Sequence, residues 1–155
     1  MKSVALSCVL LICAVAGAQP APRKPMKECM ARGTPIFEID RRVDPGTKMP
    51  TSTFKLYDTG AWTFDTADAE GKAAEPKRGC IAGDDLAKTK DDLKVDWKVS
   101  NAKFHCMAFS PQFTEFSVNG KIVYTARLCN GQTLDEASTK ALGDLQARVK
   151  TLTGE

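Results

Sequence analysis

The chain has one histidine, His105, in 155 residues. That scarcity removes much of the usual catalytic chemistry. A Ser–His–Asp triad has to use His105, and no serine stands in a G-x-S-x-G setting. No glycine-rich phosphate loop occurs. No C-x-x-C pair occurs either, which argues against a zinc ribbon. After the N-terminus no apolar run reaches membrane length. The 22 basic and 19 acidic residues are interspersed, with a net charge of only +3 and no basic stripe, so nucleic acid is not an expected partner. Asp65, Asp68, Glu70 and Gly71 fall out of step with a calcium loop, whose closing glutamate is replaced by Pro76. No motif implies a cofactor or a metal ion.

What is present begins with an export signature. Lys2 precedes a nearly continuous apolar run, Val4 to Val15, and Ala16-Gly17-Ala18 places small residues before Gln19-Pro20. Residues 1–18 read as a signal peptide cleaved after Ala18. Residues 19–35, with Pro20, Pro22, Pro25 and Pro35, read as an extended N-terminal segment. Residues 36–155 read as one domain, large enough to bury a core. The expectation is a soluble secreted or periplasmic protein, not membrane-inserted after cleavage.

Cleavage removes Cys8 and Cys13 and leaves Cys29, Cys80, Cys106 and Cys129. An even count in an exported domain points to two disulfides, for which three pairings are possible. Cys106 and Cys129 flank one hairpin and form the favoured pair, leaving Cys29 with Cys80.

Periodicity marks out the elements. Ile36 to Val43 is a first strand of imperfect alternation, ended by Asp44-Pro45-Gly46. Thr53 to Tyr57 and Ala61 to Asp65 form a hairpin across Asp58-Thr59-Gly60, with Phe54 and Leu56 on one face and Trp62 and Phe64 on one face. Trp62 is expected in the core. A polar connection follows to Pro76. Gly83 to Leu93 is a short helix that Asp84 can cap, its carboxylates solvated. Val95 to Ser100 alternates as a half-buried strand. Phe113 to Val118 and Lys121 to Leu128 flank Asn119-Gly120, a type I′ hairpin signal, with Ile122, Tyr124 and Ala126 sharing a face. Thr133, with Glu136 three residues on, starts a long helix as a capping box. Its inner face carries Leu134, Ala137, Ala141, Leu145, Val149 and Leu152; Asp135, Lys140, Asp144 and Arg148 face outward. The fold class is α+β: a single antiparallel sheet of about five to seven strands with a short helix and a long C-terminal amphipathic helix on one face.

His105 and Cys106 are neighbours on a predicted strand, where adjacent side chains point apart, so they do not make a nucleophile–base pair. The expectation is therefore a binding domain and not an enzyme. Cys106-Met107-Ala108-Phe109-Ser110-Pro111 is an apolar segment between a cysteine and a proline. If exposed and pinned by a disulfide, such a loop can lie extended in a peptidase cleft at low entropic cost.

From Cys80 to Cys129 the order of features resembles the Streptomyces subtilisin inhibitor family. Cys80-Ile81-Ala82-Gly83-Asp84-Asp85-Leu86, running on to Asp92-Leu93, is similar to that family's helix after a cysteine. Cys106-Met107-Ala108-Phe109-Ser110-Pro111 is similar to its reactive loop, without the proline that follows the loop cysteine there. Val118-Asn119-Gly120 and Lys121-Ile122-Val123-Tyr124 resemble its following hairpin. The resemblance implies a five-stranded sheet with two helices and Met107 entering a specificity pocket. It also implies an inhibitory loop of Met107, Ala108 and Phe109, the bridge Cys106–Cys129 with a further bridge to Cys80, and a subtilisin-like serine peptidase as partner. The alternative is an envelope structural or accessory protein that binds another protein or a small ligand.

Overall fold

The structure is a computed structural model that describes residues 29–81, 83–101 and 110–154. The chain runs β1 (Phe37–Val43), β2 (Thr51–Leu56), β3 (Ala61–Ala67), β4 (Lys77–Cys80), α1 (Asp84–Asp92), β5 (Val99–Asn101), β6 (Gln112–Val118), β7 (Lys121–Arg127), β8 (Gln132–Leu134) and α2 (Glu136–Thr153). Six strands form one antiparallel sheet in the order β4-β3-β2-β1-β6-β7, and β5 pairs with β8 in a separate ribbon. The α+β class stands.

The register explains the core. Because side chains alternate across a strand, cross-strand partners stack into rows on one face. One row is Trp62, Leu56, Phe37 and Val118. The next is Phe64, Phe54, Ile39, Phe116 and Tyr124, running through five strands. Phe54 stacks on Trp62 with centroids 6.1 Å apart, and Phe116 on Tyr124 at 5.9 Å. Leu142 and Leu145 of α2 join these residues in one buried cluster. In α2 the buried positions Ser138, Ala141, Leu142 and Leu145 recur at three and four residues, so one helical face meets the core.

The opposite sheet face is polar. Arg42 bonds Asp40 at 2.6 Å and approaches Glu115 at 3.4 Å, and Lys55 lies 3.8 Å from Glu38. Asp40 also accepts from Thr53 Oγ1 at 3.0 Å. The hydrogen bond to Asp40, and the charges of Asp40 and Glu115, raise the Arg42 pKa above its ordinary value.

Several expectations are corrected. β4 and β8 are strands that periodicity did not mark. Of the predicted Val95 to Ser100 strand only Val99 and Ser100 pair, continued by Asn101, with β8 and not the large sheet. Thr133 lies in β8, so the capping box fails. The cap of α2 is Asp135, which accepts from the Ser138 N–H at 2.8 Å. Gly83 caps α1 in place of Asp84, with no side-chain bond. Ile122 leaves the core face because a bulge after Phe116 sets it opposite Ser117, and it is 59% exposed. Arg148 turns inward. It donates to Thr89 Oγ1 at 2.6 Å and lies 3.5 Å from Asp92, so it joins α2 to α1 and leaves Asp92 only partly solvated.

The Asp135 cap carries a pH signature. Hydrogen bonds from Ser138, side chain first and backbone second, hold its carboxyl below the ordinary value of 3.8. A depressed folded pKa adds stability that is present above the unfolded value and lost as pH falls through the folded one. Asp135→Asn should therefore lower the thermal midpoint at neutral pH. The gap to the unmodified protein should close as pH falls from neutral through the ordinary carboxyl value of 3.8 and below. A gap that stays constant over that range contradicts the assignment.

Candidate functional site

The sequence-predicted inhibitory residues Met107, Ala108 and Phe109, together with His105 and Cys106, lie outside the described residues. The frame on either side of 102–109 is described. On one side Asn101 pairs with Gln132, at the end of the β5–β8 ribbon. On the other, the entry to β6 is tied down by several bonds. Asp44 N donates to Pro111 O at 2.8 Å, and Gln112 Nε2 to Pro50 O at 3.2 Å. Ser110 Oγ donates to Gln112 O at 3.1 Å and accepts from Gln112 N at 3.3 Å.

Arg127, at the end of β7, gathers this corner. It donates to Ser110 O at 3.3 Å, pairs with Asp44, and lies over the Phe113 ring at 5.4 Å. Two residues later Cys129 has φ 72 and is disulfide-bonded. Cys106, its expected partner, is outside the described residues. Asn130 and Gln132 finish the corner: Asn130 Nδ2 donates to Thr125 O, and Gln132 Oε1 accepts from Thr125 N at 3.2 Å. These side chains occupy backbone groups on the outer edge of β7, where an unpaired strand otherwise invites association. The second predicted bridge, Cys29–Cys80, is formed.

A further feature escaped the sequence reading. The third row on the core face is Thr66, Ser52, Arg41, Thr114 and Ala126, so the apolar surface gives out one register step beyond Phe54. There, between the sheet and the C-terminal half of α2, lies a cleft of about 360 Å³. Ile39, Phe54, Phe64 and Phe116 line it below, and Ala126 and Val149 at the sides. Arg41, Ser52, Thr114, Gln146 and Lys150 form its polar rim. The signal was the flaw in β1: Arg41 shares its parity with Phe37 and Ile39, a charge on the apolar side of a central strand.

Among the described residues, no group of three or more His, Cys, Asp and Glu side chains is placed to hold a metal ion. No described helix is long and apolar enough to cross a membrane. Comparison with known proteins found no matching family model, no similar curated protein and no similar solved structure.

Proposed function

We propose that this is an exported, non-enzymatic binding domain whose sharpest activity is inhibition of a subtilisin-like serine peptidase through the loop containing Met107. The observation that carries the reading is the anchoring of both flanks of 102–109. One flank ends on a two-stranded ribbon. The other is held by the bonds of Asp44, Gln112 and Arg127, beside the disulfide-bonded Cys129. A substrate-like inhibitor depends on such anchoring. Fixed ends lower the entropy lost on binding and keep the cleaved ends together. The Cys29–Cys80 bridge supports an oxidising compartment, in keeping with residues 1–18 as a signal peptide.

The test is a titration of a subtilisin-like peptidase with the purified mature chain, reading intact mass before and after. Stoichiometric inhibition with slow cleavage at Met107–Ala108 is the expected result. Met107→Asp should abolish inhibition and leave the thermal midpoint unchanged, because the change removes the side chain offered to an apolar specificity pocket. An intact protein without inhibition sinks the loop assignment and leaves the alternative, an envelope accessory protein with another ligand.

A further inference from the structure

We infer that the cleft between the sheet and α2 binds a small amphipathic anion, a carboxylate on an apolar chain, with the chain on the phenylalanine floor and the carboxylate at Arg41 and Lys150. The inference is independent of the Met107 loop.

Three observations carry it. First, the composition is that of a ligand site, an apolar floor with a few converging polar groups, at the lower end of the usual size range of roughly 300–1,000 Å³. Second, the charge is one-sided. Two cations line the cleft and no carboxylate does. Third, the rim is chemically idle. Several charged side chains elsewhere are drawn into ion pairs: Arg42 with Asp40 and Glu115, Arg148 with Asp92, Arg127 with Asp44, Lys140 with Asp144. Among the described residues Arg41 and Lys150 have no such partner, and the side chains of Ser52, Thr114 and Gln146 make no hydrogen bond. Arg41 and Lys150 are both exposed, so their charges stay solvated at the mouth of the cleft and open to a ligand's anionic end.

The helix end does not defeat the arrangement. The carbonyls at the C-terminus of α2 disfavour an anion, but Lys77 Nζ donates to Thr153 O at 2.7 Å and Gly154 N to Lys150 O at 2.9 Å. Beyond Arg41 and Ser52 a second recess adjoins, lined in part by Thr66, Lys72 and Asp68. The Asp68 Oδ1 there accepts from the backbone N–H groups of Glu70 and Lys72. Arg41 therefore stands where an apolar groove opens to water, the place for a ligand's charged end.

The test uses the mature protein and sodium dodecanoate below its micelle concentration, followed by titration calorimetry. Saturable, equimolar binding is expected. Arg41→Gln and Lys150→Gln should each weaken it by roughly fivefold, the scale of a partly solvated ion pair. Dodecanol, which lacks the charge, should bind the unmodified protein with a comparable loss. Both substituted side chains are exposed, and an unchanged thermal midpoint separates lost binding from lost fold. Ala126→Phe, which fills the cleft wall, should remove binding altogether. Absence of saturable binding overturns the inference. So does dodecanoate binding to the Arg41→Gln, Lys150→Gln double variant with undiminished affinity.

Discussion

Gly60→Ala is expected to destabilise the protein by more than about 4 kcal/mol, a range reached only by severe core or backbone conflicts. Gly60 closes the β2–β3 hairpin with φ 82, in the left-handed region. Its amide donates to Tyr57 O at 2.9 Å, and its carbonyl accepts from Ile81 N at 2.9 Å, so the turn is stitched to the chain leaving β4. A Cβ on Gly60 would stand 2.1 Å from Ile81 O and 3.1 Å from the Leu86 side chain. The first contact is with backbone and cannot be relieved by a rotamer change. Relief requires Ile81 to move, and with it β4 and the start of α1. Against a typical total stability of about 5–15 kcal/mol, that is a large fraction.

Gly46→Ala is the internal control. Gly46 has φ 85, and a Cβ there meets nothing within 4 Å. It shares the dihedral strain and lacks the collision, so its cost should stay near about 1–2 kcal/mol. Urea unfolding of the two variants, side by side, separates the effects. Equal losses would mean that the Gly60–Ile81 approach does not exist in solution.

The same corner shows what could be read from sequence and what could not. Asp58-Thr59-Gly60 and Asn119-Gly120 were legible because a positive φ has few chemical solutions, and both turns lie where they were expected, with φ 82 at Gly60 and 50 and 76 at Asn119 and Gly120. The paired faces of Phe54 with Leu56 and of Trp62 with Phe64 were legible from alternation alone. β4 was not. Lys77-Arg78-Gly79-Cys80 carries no apolar period, and its strand character comes from pairing with Ala61–Phe64 and from the Trp62 indole lying against Gly79. Such a strand is defined by its neighbours and not by its own propensity.

The start of α2 failed for a related reason. Thr133 and Glu136 satisfy a capping-box spacing. Asp135, however, offers a better acceptor two residues nearer the helix, and Thr133 is taken by the β5–β8 ribbon, where its Oγ1 lies 2.6 Å from Ser100 Oγ. Local chemistry offered two solutions, and a tertiary strand pairing chose between them. The cleft belongs to the same class. Arg41 did not stand out in a strand whose alternation was already imperfect. Only the register, which sets Ser52 and Thr114 on either side of it, shows it as part of a polar row at the edge of an apolar face.

The second large effect lies in the bridge that joins the start of the described chain to the edge of the sheet. Cys29–Cys80 has a sequence separation of 51, and the loop it closes contains β1, β2 and β3. On the chain-entropy account a loop of this size restricts the unfolded ensemble by about 4 kcal/mol. The native state gives a second reason to expect a large loss. β4 is a four-residue edge strand with Lys77 and Arg78 exposed, and its hydrogen-bonded partner on one side is β3 alone. Besides its ladder to β3, it is held by the bridge, the Ile81–Gly60 bond, the Trp62 contact and the Lys77 bond to Thr153 O. The paired substitution Cys29→Ser, Cys80→Ser is preferable to reduction, because it leaves the bond at Cys129 in place. Urea unfolding should then show the midpoint falling by the equivalent of about 4 kcal/mol. If chain entropy dominates, the loss should appear mainly as slower folding or faster unfolding without a change in the native chemical shifts of β1 and β2. If the bridge chiefly clamps β4, amide exchange at Lys77–Cys80 should rise selectively while β1 stays protected. A loss below about 1 kcal/mol, the scale of an ordinary surface substitution, would count against both accounts. It would leave β4 held by its ladder to β3 and by the seat of Trp62 on Gly79.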